Sequence, residues 1–310
     1  MISIVIVNWN SGGLLESCVG SLREHAAGCE IIVVDNASED HSLDFLARFP
    51  DIVTIRNRDN KGFAAACNAG WRCGKGDLVL FLNPDTEALP GSLSRLAETL
   101  EHDSGTWAAG GRLTSLRGRS PVHFNARRFP TVASAAAEMF FLDEVWPGNP
   151  WTARYRPALL AGNSVVEVDQ PAAACLMVRR SVLESLGGFD ESFTPAWFED
   201  VDLCKRLRDR GGRIVFQPAA RFLHHGGFSV ERLGYADFLK HYRRNQIHYF
   251  AKHHGPKAAR KVRMMIGAGM FLRSVVSVMI PLAGRSSRLA SWKIFWRAGC
   301  YFSFGRDVTP

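Results

Sequence analysis

No two cysteines in this chain are spaced to grip a metal or to form a redox pair. Seven are present, an odd number, scattered from Cys18 to Cys300 without a C-x-x-C. That argues against a zinc-stapled or disulfide-stapled scaffold and fits reduced thiols in a cytosolic setting. The Gly-rich phosphate loops of two large enzyme classes are missing as well. No G-x-G-x-x-G follows the first apolar run. Gly70–Lys75 (GWRCGK) has its glycines one residue too close and no Ser or Thr after the lysine. Neither a Rossmann oxidoreductase nor a P-loop NTPase is expected. Ile2–Val7 is too short for a signal peptide and follows no basic residue, the first being Arg23, so the bulk of the protein is expected not to be exported. Internal repeats and low-complexity tracts are lacking too.

Acidic residues are almost absent from the C-terminal part. From Lys240 to Pro310 there are 14 Lys or Arg and one acid, Asp307, whereas the preceding 239 residues carry 24 basic and 29 acidic side chains. The formal charge of +8 therefore averages an acidic body and a basic tail, and such a tail calls for an anionic partner. Nucleic acid and the cytoplasmic face of a membrane both qualify. Met264–Leu282 (MMIGAGMFLRSVVSVMIPL) is interrupted only by Arg273, and a nucleic-acid stripe would interleave polar and basic residues there. A helix lying in, or dipping into, an anionic bilayer interface is expected, and no nucleic acid. A single span and a buried helical hairpin are the alternatives, the span costing about 2.5–3.5 kcal/mol for a central Arg273. At 46% hydrophobic and 22% charged over 310 residues, the body can bury a sizeable core.

The first hundred residues alternate β-branched runs with helical patterns. Strands are expected at Ile4–Val7, Ile31–Val34, Ile52–Ile55 and Leu78–Leu82, and helices over Leu14–Leu22, over Gly62–Trp71 and from Pro90 to Leu100. Continuous apolar strands between helices mean an α/β fold with a mostly parallel central sheet flanked by helices. Ligands of such sheets bind beyond the carboxyl ends of the strands, where Asn8, Asp35 and Asp85 lie. Thr114–Gly162 has no clear period and reads as a long surface excursion facing substrate. Order returns with a strand at Ala173–Val178, helices from Ser181 and from Glu199, and a strand at Ile214–Phe216. Two helical stretches, about Tyr235–His254 and Pro256–Leu282, complete a C-terminal helical extension. The division expected is a catalytic domain over 1–234 and a basic amphipathic region over 235–310.

A carboxylate after a buried strand, such as Asp35, could accept hydrogen bonds from a base or a ribose. Asp85, after Asn83-Pro84, could hold a divalent cation against a diphosphate, since hard oxygen ligands suit Mg²⁺ or Mn²⁺. Singly, each is more often a helix cap or a turn residue than a ligand. Six blocks in order carry more: IVIVNWNSGGLLESCVGSL, IIVVDNASED, NKGFAAACNAGW with GDLVLFLNPDT, AAACLMVRRSVLESLGGFDE, WFEDVDLCKRLRDRG and HHGGFS. Together, over roughly residues 1–250, they resemble family 2 glycosyltransferases with the GT-A fold, and among them the bacterial rhamnosyltransferase-like enzymes of surface polysaccharide synthesis.

The resemblance implies an inverting transfer of a sugar, such as rhamnose from a dTDP-activated donor, to a hydroxyl of a lipid-linked glycan. It implies that Asp35 contacts the base or ribose, and that Asn8 and Asn10 line the nucleotide pocket. Asn60, Gly62 and Asn68 would border the donor. The family's D-x-D metal motif stands here as Asn83-Pro84-Asp85, leaving Asp85 the main metal contact, with His224 as a metal or diphosphate ligand. Of the acidic pair Glu199-Asp200, Asp200 is the expected catalytic base. Trp197 and Phe198 are either acceptor platforms or core aromatics, and Arg179 and Arg180 either phosphate partners or a solvated helix start. The implied location is cytoplasmic, peripheral on the inner face of the cell membrane. Two rivals remain at this point: a sugar nucleotidyltransferase, disfavoured because NWNSGGLL has no basic residue, and an inactive glycan-binding relative.

Overall fold

A computed structural model of the chain describes residues 1–115, 125–156, 162–226, 232–279 and 285–305. In chain order the elements begin β1 (Ile2–Asn8), α1 (Leu14–His25), β2 (Glu30–Asp35), β3 (Val53–Arg56), α2 (Phe63–Cys73), β4 (Leu78–Leu82), β5 (Thr86–Ala88) and α3 (Ser92–Glu101). They continue with β6 (Thr106–Thr114), β7 (Ala126–Arg127), α4 (Val132–Met139), α5 (Leu142–Val145), α6 (Pro150–Tyr155), β8 (Val166–Glu167), β9 (Gln170–Pro171), β10 (Cys175–Arg179) and α7 (Arg180–Leu186). The last are α8 (Glu199–Asp209), β11 (Arg213–His224), α9 (Tyr235–His254), α10 (Pro256–Met279) and α11 (Arg285–Phe304). Two compact units emerge, one of Met1–Phe129 with Arg156–Phe228, the other of Pro130–Tyr155 with Ser229–Pro310.

The first unit is an α/β sheet of order β3-β2-β1-β4-β10-β6-β11-β5, with β8 added beside β11. β3, β2, β1 and β4 are mutually parallel. β10 runs against both β4 and β6, and β6 and β11 are again parallel. The alternation of side chains explains the unbroken apolar strands. Ile4 and Ile6 of β1 face one buried cluster with Leu15, Cys18, Val19 and Leu22 of α1. Val5 and Val7 face the other, with Ala64, Ala66, Cys67 and Trp71 of α2. Both faces are covered, so no polar side is needed. α2 lies so close to the sheet that a Cβ on Gly70 would meet Val5 Cγ1 at 2.3 Å.

β11 runs well past the expected Ile214–Phe216. Pro218 interrupts the apolar pattern without ending the strand, because the ladder to β6 shifts register between Gln217 and Arg221 and the missing N–H falls in that irregularity. The cation at Arg179 is spent on the carbonyls of Thr106 (3.0 Å) and Asp103 (3.3 Å), and Arg180 on those of Gly76 (2.5 Å) and Trp71 (2.8 Å). Both arginines tie the sheet together, and neither a phosphate role nor a solvated helix start describes them.

The second unit is helical. Residues 130–155 form α4 to α6 rather than an irregular surface excursion, and they pack with the C-terminal helices, so the division differs from a single cut after residue 234. α4 starts at a reciprocal capping box between Thr131 and Ser134. Its carboxylate Glu138 pairs at 2.7 Å with Arg243, a buried residue of α9 that also donates to Gln246 at 2.8 Å. A Cβ on Gly269 of α10 would sit 2.9 Å from Met139, so a bare backbone there lets α10 approach α4. Among the described residues the tail holds three helices instead of the expected two, and Ile280–Leu282 of the apolar segment lie outside them.

Candidate active site

At the carboxyl ends of β1 and β2, Asn8 and Asp35 stand opposite each other in register. Asn8 is fully buried, its amide nitrogen 2.8 Å from Asp35 Oδ1 and within 3.0 Å of the hydroxyls of Ser38 and Ser42. Its oxygen accepts from Ser11. Asn8 thus supports Asp35 from behind instead of presenting an amide to a ligand. Asp35 Oδ2 accepts from the Ser38 N–H at 3.2 Å. Asn10, with φ +52°, donates its N–H to Ser38 Oγ at 2.8 Å and accepts from the Glu39 N–H at 2.7 Å. The D-N-A-S-E-D block folds over the strand ends through these bonds.

Asn36, next to Asp35, donates to the Gly62 carbonyl at 3.1 Å, and the Asn60 side chain accepts from the Gly62 N–H at 2.9 Å. Gly62 has φ +86°, and a Cβ there would lie 2.9 Å from the Pro195 oxygen, so only glycine fits. The adjacent Phe63 N–H donates to that same oxygen at 2.7 Å. Asn68 is buried and used on both sides. It donates to the Phe189 carbonyl (2.9 Å) and Glu191 (2.8 Å), and accepts from the Phe189 N–H (2.9 Å) and Trp71 Nε1 (3.0 Å). It fastens α2 to the segment leading to α8 and has no surface left for a donor.

β4 hands over to the metal-motif residues. Asn83 is half-buried, and its N–H donates to the Ala174 carbonyl at 3.1 Å. Asp85 is buried, with Oδ2 accepting from the Gly226 N–H at 3.1 Å. Its other oxygen, Oδ1, faces His224 Nε2 at 3.3 Å and otherwise has no hydrogen-bond partner among the described residues. Burial pushes the Asp85 carboxyl up, but the His224 imidazole and the Gly226 N–H outweigh it and hold the group below its ordinary value. His225 turns elsewhere, 3.0 Å from Glu87. Gly227–Ser229 of the HHGGFS block lie outside the described residues.

The site fits a divalent cation. An orphaned buried carboxylate oxygen opposite an imidazole nitrogen is a two-ligand corner of mixed O and N donors, leaving the remaining positions for phosphate and water. Among the described residues no group of three or more His, Cys, Asp or Glu is arranged around one point.

Glu199 and Asp200 open α8 after two consecutive non-glycine residues at positive φ, Trp197 (+74°) and Phe198 (+72°). Such backbone is costly and tends to persist where structure over-determines a site. Phe198 is buried in the core, whereas Trp197 is half-buried. The two carboxylates part company. Glu199 points inward, buried, with Oε2 lacking a hydrogen-bond partner among the described residues, and burial with Asp200 beside it raises its carboxyl well above the ordinary value. Asp200 is half-buried and accepts from the Val201 N–H at 2.8 Å and the Ala173 N–H at 3.4 Å. Burial raises Asp200 too, against those N–H groups and the Arg127 cation, which favour its charged form. Glu199, expected beside Asp200 in the acidic catalytic pair, is thus the member turned inward. Arg127 escaped the sequence reading because it lies in the stretch without period.

Bonds and short stretches of chain together form one belt along the edge made by the carboxyl ends of the parallel strands: Asn36 bonds to Gly62, Phe63 to Pro195, Asp200 to Ala173, Asn83 to Ala174 and Asp85 to His224, and the backbone itself carries Pro195 to Asp200 and Asn83 to Asp85. The three aspartates share that edge. A separate cavity of about 910 Å³, lined by Glu98, Asp103, Glu167 and Arg213 among others, opens where β6 and β11 begin, at the opposite ends of the strands from His224. It has no part in the site.

The profile of glycosyl transferase family 2 matches residues 3–186. The chain belongs to that family. It is 30% identical over 310 residues to the N-acetylglucosaminyl-diphospho-decaprenol L-rhamnosyltransferase of Mycobacterium tuberculosis, covering 95% of this chain and 97% of that one. It is 27% identical over 212 residues to a low-salt glycan biosynthesis hexosyltransferase of Haloferax volcanii, covering 67% of this chain and 61% of that one. Its fold matches that of a mannosyltransferase from Pyrobaculum calidifontis in complex with GDP-Man and Mn²⁺, with a TM-score of 0.58 at 15% identity, over 98% of this chain and 87% of that one. This family 2 glycosyltransferase therefore has the GT-A fold and resembles rhamnosyltransferases. Membership sets aside the nucleotidyltransferase and the inactive binder.

Proposed function

We propose that this glycosyltransferase inverts the anomeric centre as it moves a deoxysugar, such as rhamnose, from a nucleotide diphosphate donor to a hydroxyl of a lipid-linked glycan. The work would serve cell-surface polysaccharide synthesis, on the cytoplasmic face of the membrane. The observation that carries the proposal is the belt joining Asp35, Asp85 with His224, and Asp200 along one strand edge, in a chain whose mycobacterial relative is named for a diphospho-decaprenol acceptor.

Asp35, braced by Asn8 and Ser38, accepts from the nucleoside. Asp85 and His224 are the residues that would hold Mg²⁺ or Mn²⁺. A divalent cation bound there supplies charge stabilisation for a leaving diphosphate. Asp200 takes the proton of the acceptor hydroxyl as its oxygen bonds to the anomeric carbon and the bond from that carbon to the diphosphate breaks. The nucleoside diphosphate departs with the electron pair. Two backbone N–H donors hold the partly buried Asp200 in place for this task. The basic helical unit supplies an anionic membrane surface with a partner, and confinement to that surface raises the effective concentration of a lipid-linked acceptor.

Incubation with a panel of nucleotide sugars and a lipid-diphosphate-linked N-acetylglucosamine, with release of nucleoside diphosphate as readout, tests the reading. A deoxysugar donor is expected to be consumed with growth of the acceptor by one residue. Turnover of no donor, or retention of the anomeric configuration in the product, would refute it.

A further inference from the structure

Part of the tail's apolar character stays exposed. One continuous row of exposed positions runs along α10 at Lys257, Lys261, Met264, Ala268, Leu272, Val275 and Met279, the three- and four-residue steps of a single helical face. It begins basic, with Arg260 alongside, and is wholly apolar for its last four turns. Met264 is 65% exposed, Val275 51% and Met279 74%. The opposite face is buried through Ala259, Val262, Ile266 and Met270.

Arg273, the charge that interrupts this apolar segment, does not lie on the row. Its guanidinium donates to the Glu138 carbonyl at 2.6 Å and stacks 4.1 Å from the Phe141 ring centroid, within the helical unit. Arg263 is likewise spent, on the Phe302 carbonyl at 2.8 Å. α11 returns antiparallel to α10. Gly267 abuts Ser303, Gly299 abuts Phe271, and Phe271 meets Trp296 edge-on at 5.1 Å. Trp296 is itself exposed. By length and composition α10 could cross a membrane. One of its faces is packed against protein, however, and in the sequence Arg285 and Arg288 follow the apolar segment as Lys257, Arg260 and Lys261 precede it.

We propose that the α10–α11 hairpin lies in the plane of one leaflet of an anionic bilayer. Met264, Leu272, Val275 and Met279 enter the boundary between headgroups and acyl chains, while Lys257, Arg260 and Lys261 meet lipid phosphates. Charge selects this occupant: no acid occurs between Lys240 and Arg306. A second copy of the chain would bring like charges together, and a nucleic acid would leave the apolar turns wet. An interfacial helix needs both a basic fringe and an apolar face. The inference rests on the membrane-surface reading given above and adds the element, the face and the depth.

The test is flotation of the full chain with vesicles of phosphatidylcholine containing phosphatidylglycerol, against phosphatidylcholine alone. Wild type should float with the anionic vesicles. Leu272→Asp with Val275→Asp should lower partitioning at least about tenfold at any salt concentration, and Lys257→Glu with Lys261→Glu should lower it severalfold. Both positions of each pair are exposed, so melting temperature and transfer to a water-soluble acceptor should stay at wild-type values. The milder Leu272→Ala with Val275→Ala should give an intermediate loss. Wild-type flotation by the Asp pair, equal binding to neutral vesicles, or self-association removed by the Asp pair would each overturn the proposal. Flotation needs no turnover, so failure of the catalytic reading would show separately, as inactivity of a protein that still floats.

Discussion

The two units invert each other's use of polarity. Along the strand edge of the α/β unit, carboxylates and amides are buried and cross-linked: Asn8, Asp35, Asn68 and Asp85 are nearly inaccessible, each held by hydrogen bonds. In the helical unit, large apolar side chains such as Met264, Val275 and Phe304 stay exposed beside lysines and arginines. Both arrangements cost free energy, one through desolvation of polar groups and the other through unburied apolar surface. On the proposed function, each unit keeps its unfavourable groups where a ligand would offset their cost.

The sharpest way to break the comparison is to remove the chemistry without touching the packing. Asp200→Asn is expected to lower the transfer rate on the order of a thousandfold, as loss of a general base does, with thermal unfolding unchanged. A rate within tenfold of wild type would move the base elsewhere. Next comes a buried group that holds shape only. Asn68→Ala leaves the Phe189 N–H and Trp71 Nε1 unpaired in the core, and should cost about 2–4 kcal/mol of stability in urea unfolding. Donor affinity per folded molecule should persist.

The smallest effect concerns pH. Burial raises the Asp200 carboxyl above the ordinary value of 3.8, and only its ionised form accepts a proton. The transfer rate should therefore fall on acidification at a pH higher than an exposed aspartate would give. Arg127 favours the charged form, so Arg127→Gln should move that acid limb to still higher pH. A shift toward lower pH would contradict the assigned electrostatics.

Much of this architecture was legible because short-range rules and tertiary demands agree. The strands around β1 announce themselves as apolar runs, α1 by its spacing of Leu15, Cys18, Val19 and Leu22, and α7 by the Gly187 that ends it at φ +79°. Elements whose cause is remote were harder to read. α4 is half alanine and short, and it is fixed by Arg243 more than a hundred residues away. β10 runs antiparallel, which no local pattern encodes. Within the site, residue types pointed to the strand edge but not to orientation. Nothing in E-D says that Glu199 turns inward and Asp200 outward, and nothing in N-W-N says that the Asn8 amide is consumed by Asp35, Ser38 and Ser42. Those outcomes depend on burial, which only the assembled sheet decides.

Calorimetric titration of a nucleoside diphosphate in the presence of Mn²⁺, on wild type, Asp200→Asn and Asp85→Asn, tests most directly whether one strand edge divides donor binding from proton transfer. Wild type and Asp200→Asn should bind alike and Asp85→Asn at least about tenfold more weakly. Undiminished binding by Asp85→Asn would contradict the account.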